Sequence, residues 1–448
     1  MKELGTEPIG KLLRQYAIPS IIAMTASSLY NMVDSIFIGH GVGPMALGGL
    51  AVTFPFMNLG AAFGALVGVG TSTLISVKLG QKDYDTAKRV LGNVVTLNLI
   101  IGIAFMTVSL LFLDRILVFF GASDVTLGYA RDYMRIILYG NVVTHMYLGL
   151  NTASRAVGRP NRAMWATILT VVLNAILDPI FIFVFGWGIK GAAIATVSAQ
   201  VVSLVWQLVE FSSPSTEIHF ERGKFKLEKH IVKKAIAIGM SPFMMNAAAC
   251  IIVIFINKGL GKYGGDYAVA AYGIVNRVIF VFAMIVLGFN QGMQPIAGYN
   301  FGAQKIDRLY EVLRKTIICG VAVMTLCTIV GEFFPEITVR AFTSDERLIG
   351  EAVRGMRILC IMGPCIGFSM VVANFFQSIG KAPQSIFLSL TRQMIYLLPQ
   401  LVVLPMFFGE DGIWFAMPSS DFLAFVTSAI FLWYYLRKFR REGLKTDL

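Results

Sequence analysis

The sequence predicts an all-α, polytopic membrane protein of about twelve transmembrane helices, and three observations carry that prediction. Of its 448 residues, 56% are hydrophobic and 14% charged, with mean hydropathy +0.70; a soluble domain is usually ~25% charged. The apolar residues come in long runs, many of which reach the ~20 residues that span a bilayer as helix. Lys and Arg collect in alternate short connections, the pattern of cytoplasmic loops.

Helices are expected near residues 12–38, 47–78, 88–113, 125–152, 160–185, 190–211, 231–258, 267–299, 309–334, 346–379, 384–408 and 412–437. The first run, 17–38, is too long for a signal-peptide core and is read as a retained helix. Lys78, Lys82, Lys88 and Arg89 surround the second connection, and Arg155, Arg159 and Arg162 the fourth. The sixth, EFSSPSTEIHFERGKFKLEKHIVKK, is the longest and most basic. Lys305, Arg308, Arg314 and Lys315 follow helix eight, Lys381 follows helix ten, and the tail carries Arg437, Lys438, Arg440 and Arg441. Odd connections are poorer in Lys and Arg, and the eleventh carries Glu410 and Asp411. Both termini are therefore expected in the cytoplasm. The net charge of +12 reflects this topology and predicts no nucleic-acid partner. Arg131, Arg135, Arg354 and Arg357 fall at outer helix ends, where acids are expected to pair with them.

The two halves repeat at an offset of 222 residues: GTSTLISVKLGQKDYDTAKRVL aligns with GMQPIAGYNFGAQKIDRLYEVL, Arg135 falls on Arg357, and Gly158 on Gly380. An ordered series of matches at one offset marks a duplicated unit. Six helices per repeat leave both halves in the same orientation, related by a pseudo-twofold axis along the membrane normal. That is a transporter design, with the substrate site between lobes near the midplane. The expected organisation is an N-lobe over 1–211, a cytoplasmic linker over 212–230 and a C-lobe over 231–448.

An ionised Asp at the bilayer centre costs about 2.5–3.5 kcal/mol and needs a partner, a proton or a cation. The apolar helices hold three such acids: Asp34, Asp178 and Asp421. In LNAILDPIFIF, Asn174 and Asp178 are four apart and share a helix face. Pro179 lacks an N–H, so the Ala175 carbonyl is expected to lose its donor. Carboxylate, amide and carbonyl oxygens suit a hard monovalent cation, or a proton held on a desolvated acid. Thr196 and Asn151 could add oxygens or clamp helices. Asp34 and Asp178 have no acidic counterpart at the repeat offset, so the ion site is expected in the N-lobe alone. Arg277 and Arg392, inside apolar helices of the second lobe, pair structurally or serve substrate binding or gating.

Four histidines make no metal spacing, and the five cysteines read as small buried hydrophobes. No P-loop, GxSxG or HExxH motif is present, so ATP-driven transport has no support. No enzyme is predicted, and no cofactor beyond a coupling ion.

The chain resembles the multidrug and toxic compound extrusion (MATE) transporters over roughly residues 8–438. VDSIFIGH, LGQKDYDTAKRVL, NTASRAVGRPNRAM, LNAILDPIFI, QGMQPIAGYNFGAQK and FFQSIGKAP carry the likeness, in this order and at this spacing. The resemblance implies export of organic cations or amphiphilic drugs by a monomer in the plasma membrane of a bacterium or archaeon. It implies rocker-switch alternating access driven by Na⁺ or H⁺. Within the family the chain is similar to the prokaryotic DinF-type branch, whose cation-site residues fall on Asp34, Asn174, Asp178, Thr196 and Asn151, with a helix-bending proline at Pro19. The helices that carry acids in the other bacterial branch carry none here. The alternative within the same superfamily is a lipid-linked oligosaccharide flippase, for which Arg277 and Arg392 would meet a pyrophosphate headgroup.

Overall fold

The computed structural model describes residues 2–214 and 217–443. Linker residues 215–216 and residues 444–448 of the expected C-lobe lie outside the described residues. The chain runs through α1 (Ile9–Gly41), α2 (Pro44–Gly80), α3 (Tyr84–Leu111), α4 (Leu113–Phe119), α5 (Leu127–Tyr139), α6 (Asn141–Ala156), α7 (Pro160–Pro179) and α8 (Gly188–Ser212). It continues through α9 (Lys229–Tyr263), α10 (Gly265–Gly302), α11 (Ile306–Phe333), α12 (Pro335–Arg340), α13 (Glu346–Cys360), α14 (Gly363–Ser378), α15 (Ala382–Leu390), α16 (Leu398–Phe408) and α17 (Glu410–Glu442). No strand occurs among the described residues.

Local chemistry sets many boundaries. Pro44, Pro160 and Pro335 open α2, α7 and α12, where the missing N–H would be unpaired anyway. The Asp83 carboxylate caps α3 by accepting from the Thr86 N–H at 3.1 Å. Asp345 caps α13 by accepting from Arg347 and Leu348 at 2.9 and 3.3 Å. Pro179 does not end its helix; Ile180–Val184 continue as one π-helical turn, closed by the Phe185 N–H on the Ile180 carbonyl. A second π segment, Thr391–Leu397, joins α15 to α16.

Among the described residues, ten helical stretches are long and apolar enough to cross a membrane by length and composition, or eleven if α13 and α14, bent by 52°, count as one. The expected fourth helix is not among them. It forms as α5 and α6, which meet at Gly140, and α6 buries Asn141, His145, Asn151 and Ser154. Those polar side chains lower its hydropathy, and some pair inside the protein: the Asn141 amide donates to the Gly102 carbonyl at 3.3 Å, and His145 Nε2 meets the Gly60 carbonyl at 2.9 Å. Many large apolar side chains lie exposed, Phe119 and Phe407 at 80% and 76% among them, which suits a lipid surround.

The duplication is present in the backbone. Only Lys82 and Gln304 have positive φ among described non-glycine residues, and they sit one repeat offset apart. Gly43 with Gly265, and Gly158 with Gly380, are positive-φ pairs in the same register. Each lies in a tight connection where an L side chain would be strained.

The chain divides into two compact units. One is Ile22–Phe243; the other joins Lys2–Ile21 to the chain from Met244 onward. The first part of α1 falls in the second unit, and the first part of α9 in the first. The division points, after Ile21 and after Phe243, are themselves one repeat offset apart, and each lies just past a proline inside a helix, Pro19 of α1 and Pro242 of α9.

Glycines explain each allegiance. In the second unit, a Cβ on Gly288 or Gly292 of α10 would stand 2.5 or 2.6 Å from Ile21 or Ala17 of α1. In the first, a Cβ on Gly70 of α2 would stand 1.9 Å from the Ala235 carbonyl oxygen of α9, and one on Gly239 would stand 1.7 Å from that of Leu66. Backbones this close require small residues.

The segments that lead into these helix halves dock likewise. Asn300 and Arg308 donate to the Leu4 carbonyl at 3.0 and 3.1 Å. Asn93 donates to the Lys226 carbonyl at 3.2 Å, and Thr96 to that of Phe225 at 2.7 Å. Ion pairs Lys88–Glu221, Lys224–Asp85 and Arg89–Glu228 fix the linker on α3, and the Lys88 hydrogen bond holds the Glu221 carboxyl below its usual range. Of the four outer arginines, Arg131 pairs with Asp114 and Arg354 with Asp411, as expected; Arg135 and Arg357 show no ion pair among the described residues.

Gly239→Ala should therefore lower the melting temperature in detergent, by an overpacking cost of about 1–3 kcal/mol or more. Gly350→Ala, on α13 with open space around its Cβ, should be neutral or stabilising by up to about 1 kcal/mol. Differential scanning fluorimetry of both variants checks the contrast.

Candidate functional site

The acids of LNAILDPIFIF and of α1 meet inside the first unit. Asn174 and Asp178, one turn apart on α7, are 1% and 0% exposed; Asp34 of α1 and Thr196 of α8 are each 5% exposed. The Asp34 and Asp178 carboxyls lie within hydrogen-bonding reach of each other. The Asn174 amide donates to Asp178 Oδ1 at 3.2 Å and to Thr196 Oγ1 at 3.3 Å. The Thr196 hydroxyl donates to the Ala192 carbonyl at 3.1 Å. Having given away its one hydrogen, it accepts from Tyr30 Oη at 3.0 Å.

The donor count decides the chemistry. Both amide hydrogens of Asn174 are spent, which leaves its carbonyl oxygen as acceptor only. Asn174 Oδ1, Asp178 Oδ2 and Asp34 Oδ1 are all buried with no hydrogen-bond partner. A buried acceptor without a donor costs free energy, and a carboxylate costs more. A proton or an oxygen-loving cation is what such a group lacks. Among the described residues no cluster of three or more His, Cys, Asp and Glu could hold a metal. The donors gathered here are carboxyl, amide and hydroxyl oxygens.

Two members were missed from sequence. Tyr30 lies one turn before Asp34, and that spacing could have revealed it. Tyr133, buried on α5, stands beside Asp34, Asp178 and Tyr30. No local signal connects it to them, because only packing of α5 brings it there.

Asn151, by contrast, is not brought to this cluster. Its amide donates to the Ala163 carbonyl at 2.8 Å and to Thr167 Oγ1 at 3.3 Å, and its oxygen accepts from Arg155 at 2.7 Å. Thr167 precedes Asp178 by eleven residues, about 16 Å along a helix. Asn151 therefore belongs to a separate layer that ties α6 to α7. Beyond it, Arg159 and Arg162 pair with buried Glu210 at 3.0 and 3.5 Å.

In the second unit Arg392, on the π segment, donates through Nε to Asp421 at 2.5 Å. The third intramembrane acid thus has a fixed cationic partner. Arg277 is exposed on α10, with no ion pair among the described residues. One of the two arginines on which the flippase alternative rests is therefore engaged.

A helical chain built twice from one repeat, with ionisable side chains buried inside apolar helices, has the make-up of a membrane transporter. Comparison with known proteins places it more closely. The chain belongs to the MatE family, whose sequence model matches residues 19–180 and again 238–401, once in each repeat. It is 27% identical over 430 residues to the multidrug export protein MepA of Staphylococcus haemolyticus (strain JCSC1435), covering 96% of this chain and 94% of that one. Its fold is similar to a solved MATE protein in the bent conformation, with TM-score 0.92, 25% identity and 99% of both chains covered. An outward-facing multidrug resistance MATE transporter superposes with TM-score 0.90 at 25% identity, over 97% of each chain.

Asn151→Ala should behave as a packing variant. Arg155, Thr167 and the Ala163 carbonyl lose a shared partner, a loss of about 1–3 kcal/mol. The melting temperature should fall, while any Na⁺- or pH-dependent shift of that melting is kept. Thermal unfolding with and without Na⁺, at two pH values, checks both parts.

Proposed function

We propose that the chain is a multidrug exporter, and not an enzyme, that moves organic cations outward in exchange for Na⁺ or H⁺. One observation carries the coupling site: three donorless buried oxygens, on Asp34, Asn174 and Asp178, lie in the first unit on side chains that hydrogen-bond in series. Asp34 and Asp178 take the ion. Asn174, Thr196 and Tyr30 hold the carboxyls in place, since their hydrogen bonds orient Asp178 and link α7 to α8 and α1. The MepA relatives are named as multidrug export proteins, which supports a drug as cargo.

Ion binding changes what α1 can do. Without an ion, two adjacent carboxylates repel across low dielectric and push α1 from α7. With one, the oxygens are bridged and α1 is drawn in. Pro19 leaves α1 one hydrogen bond short, so the helix bends there most readily. Transport by rocker-switch alternating access follows if ion and drug favour opposite conformations. Both termini lie in the cytoplasm of a cell with a single-chain exporter in its inner membrane.

Charge balance separates the two ions. One Na⁺ inward for one monovalent cation outward moves no net charge. Two protons, one per carboxyl, move one net charge, and 100 mV then adds about 2.3 kcal/mol, roughly a 50-fold drug gradient.

Proteoliposome efflux of a fluorescent organic cation, under an imposed Na⁺ gradient and then an imposed pH gradient, tests the proposal. One gradient should drive efflux, and Asp34→Asn or Asp178→Asn should reduce the driven rate more than ten-fold while the protein stays monodisperse. Full gradient-driven efflux in Asp34→Asn would place the coupling elsewhere.

A further inference from the structure

The second unit holds a close pair of cysteines, with two methionines on the same helix faces, that the transport reading does not use. Cys327 of α11 and Cys360 at the end of α13 are 33 residues apart in sequence, yet their Sγ atoms stand 4.0 Å from each other. Both are 1% exposed. Two methionines, each 0% exposed, flank them: Met324 lies three residues before Cys327, and Met356 four before Cys360. Those spacings set each pair on one helix face.

Gly331, one turn past Cys327, locates the meeting point. A Cβ built there would touch Cys360 Sγ at 2.6 Å and the Met356 side chain at 3.5 Å. Met324 packs its side chain 3.1 Å from the same kind of probe on Gly367 of α14. The Thr328 hydroxyl donates to the Cys360 carbonyl at 2.6 Å, which holds the end of α13 on α11. The cluster therefore lies where α13 breaks by 52° into α14.

We propose that Cys327 and Cys360, with Met324 and Met356 beside them, form a binding site for a thiophilic divalent d¹⁰ cation. Three arguments select that class. Thiolate and thioether are soft ligands, which disfavours Na⁺, Mg²⁺ and Ca²⁺. Each thiol releases its proton to solvent as the ion binds, and two thiolates then cancel two positive charges, so the bound unit is neutral; a monovalent ion would leave a net charge buried at high cost. The spacing also fits tetrahedral ligation: metal–sulfur bonds of about 2.3 Å put neighbouring sulfurs about 3.8 Å apart. The observed 4.0 Å needs only a small rotamer adjustment. The bound ion would clamp α11 to the break between α13 and α14. The site lies in the second unit, whereas the oxygen cluster lies in the first.

Cd²⁺ is the probe. The full chain, purified under reductant and exchanged into detergent without it, carries Cys250→Ala, Cys319→Ala and Cys365→Ala, so that only the pair remains. One Cd²⁺ per chain should bind, with ultraviolet thiolate-to-metal absorption and a rise in melting temperature. Cys327→Ala and Cys360→Ala should each remove the absorption and weaken binding at least ten-fold. Met356→Leu and Met324→Leu, which preserve the apolar packing, should weaken binding and shift the band. Absence of the absorption band in the chain bearing both cysteines would overturn the site. So would Cd²⁺ affinity unchanged by either cysteine substitution, or one Cd²⁺ held between two chains. Met variants that match the parent in affinity and spectrum would overturn the thioether ligation.

Discussion

Asp34 and Asp178 bring two carboxyls into one apolar space, and the first unit is arranged around that fact. Asp34 is 5% exposed and Asp178 fully buried, and every polar atom in a bilayer core must find its partner inside the protein. Asn174 spends both amide hydrogens, on Asp178 and Thr196, and Tyr30 closes the chain onto Thr196. The network thereby leaves three buried acceptor oxygens with no donor. An arrangement that satisfied them with a further amide or arginine would be more stable and could not bind a cation.

Several other buried polar groups show the contrast. Asn151 is saturated by Arg155, Ala163 and Thr167, and Glu210 by two arginines. Asp421 is held by Arg392. Each of these is a closed account of donors and acceptors, and each ties neighbouring helices together. The Asp34–Asp178 cluster instead joins two buried acids that keep donorless oxygens, which is why the oxygen count and not acidity by itself separates it from these structural ion pairs.

Duplication supplies the frame for this asymmetry. The backbone repeats closely enough that unusual φ values recur in register at Gly43 and Gly265, Lys82 and Gln304, and Gly158 and Gly380. Turn geometry persists because few residues adopt it without strain. Side-chain chemistry does not persist: Asp34 and Asp178 fall on Ile256 and Gln400 in the second half. One copy of the fold carries ionisable groups at these positions and the other carries apolar or neutral ones. The exchanged halves of α1 and α9 follow the same register, since small residues at Gly70, Gly239, Gly288 and Gly292 permit the close crossings.

Hydropathy, charge and residue matches at one offset, all read along the chain alone, determined the membrane class, the alternation of basic loops and the repeat. They also determined that Asn174 and Asp178 share a face, because neighbours along one helix follow from its 3.6-residue period. Only the tertiary structure decided which helices meet. It brought Tyr30 and Tyr133 to the acids, sent Asn151 to another layer, split the expected fourth helix at Gly140 and set Cys327 against Cys360. The physical reason is that periodicity encodes the orientation of a residue about its own helix axis. Which partner it faces depends on the packing of all the others, through close glycine crossings and buried hydrogen bonds that no local window contains.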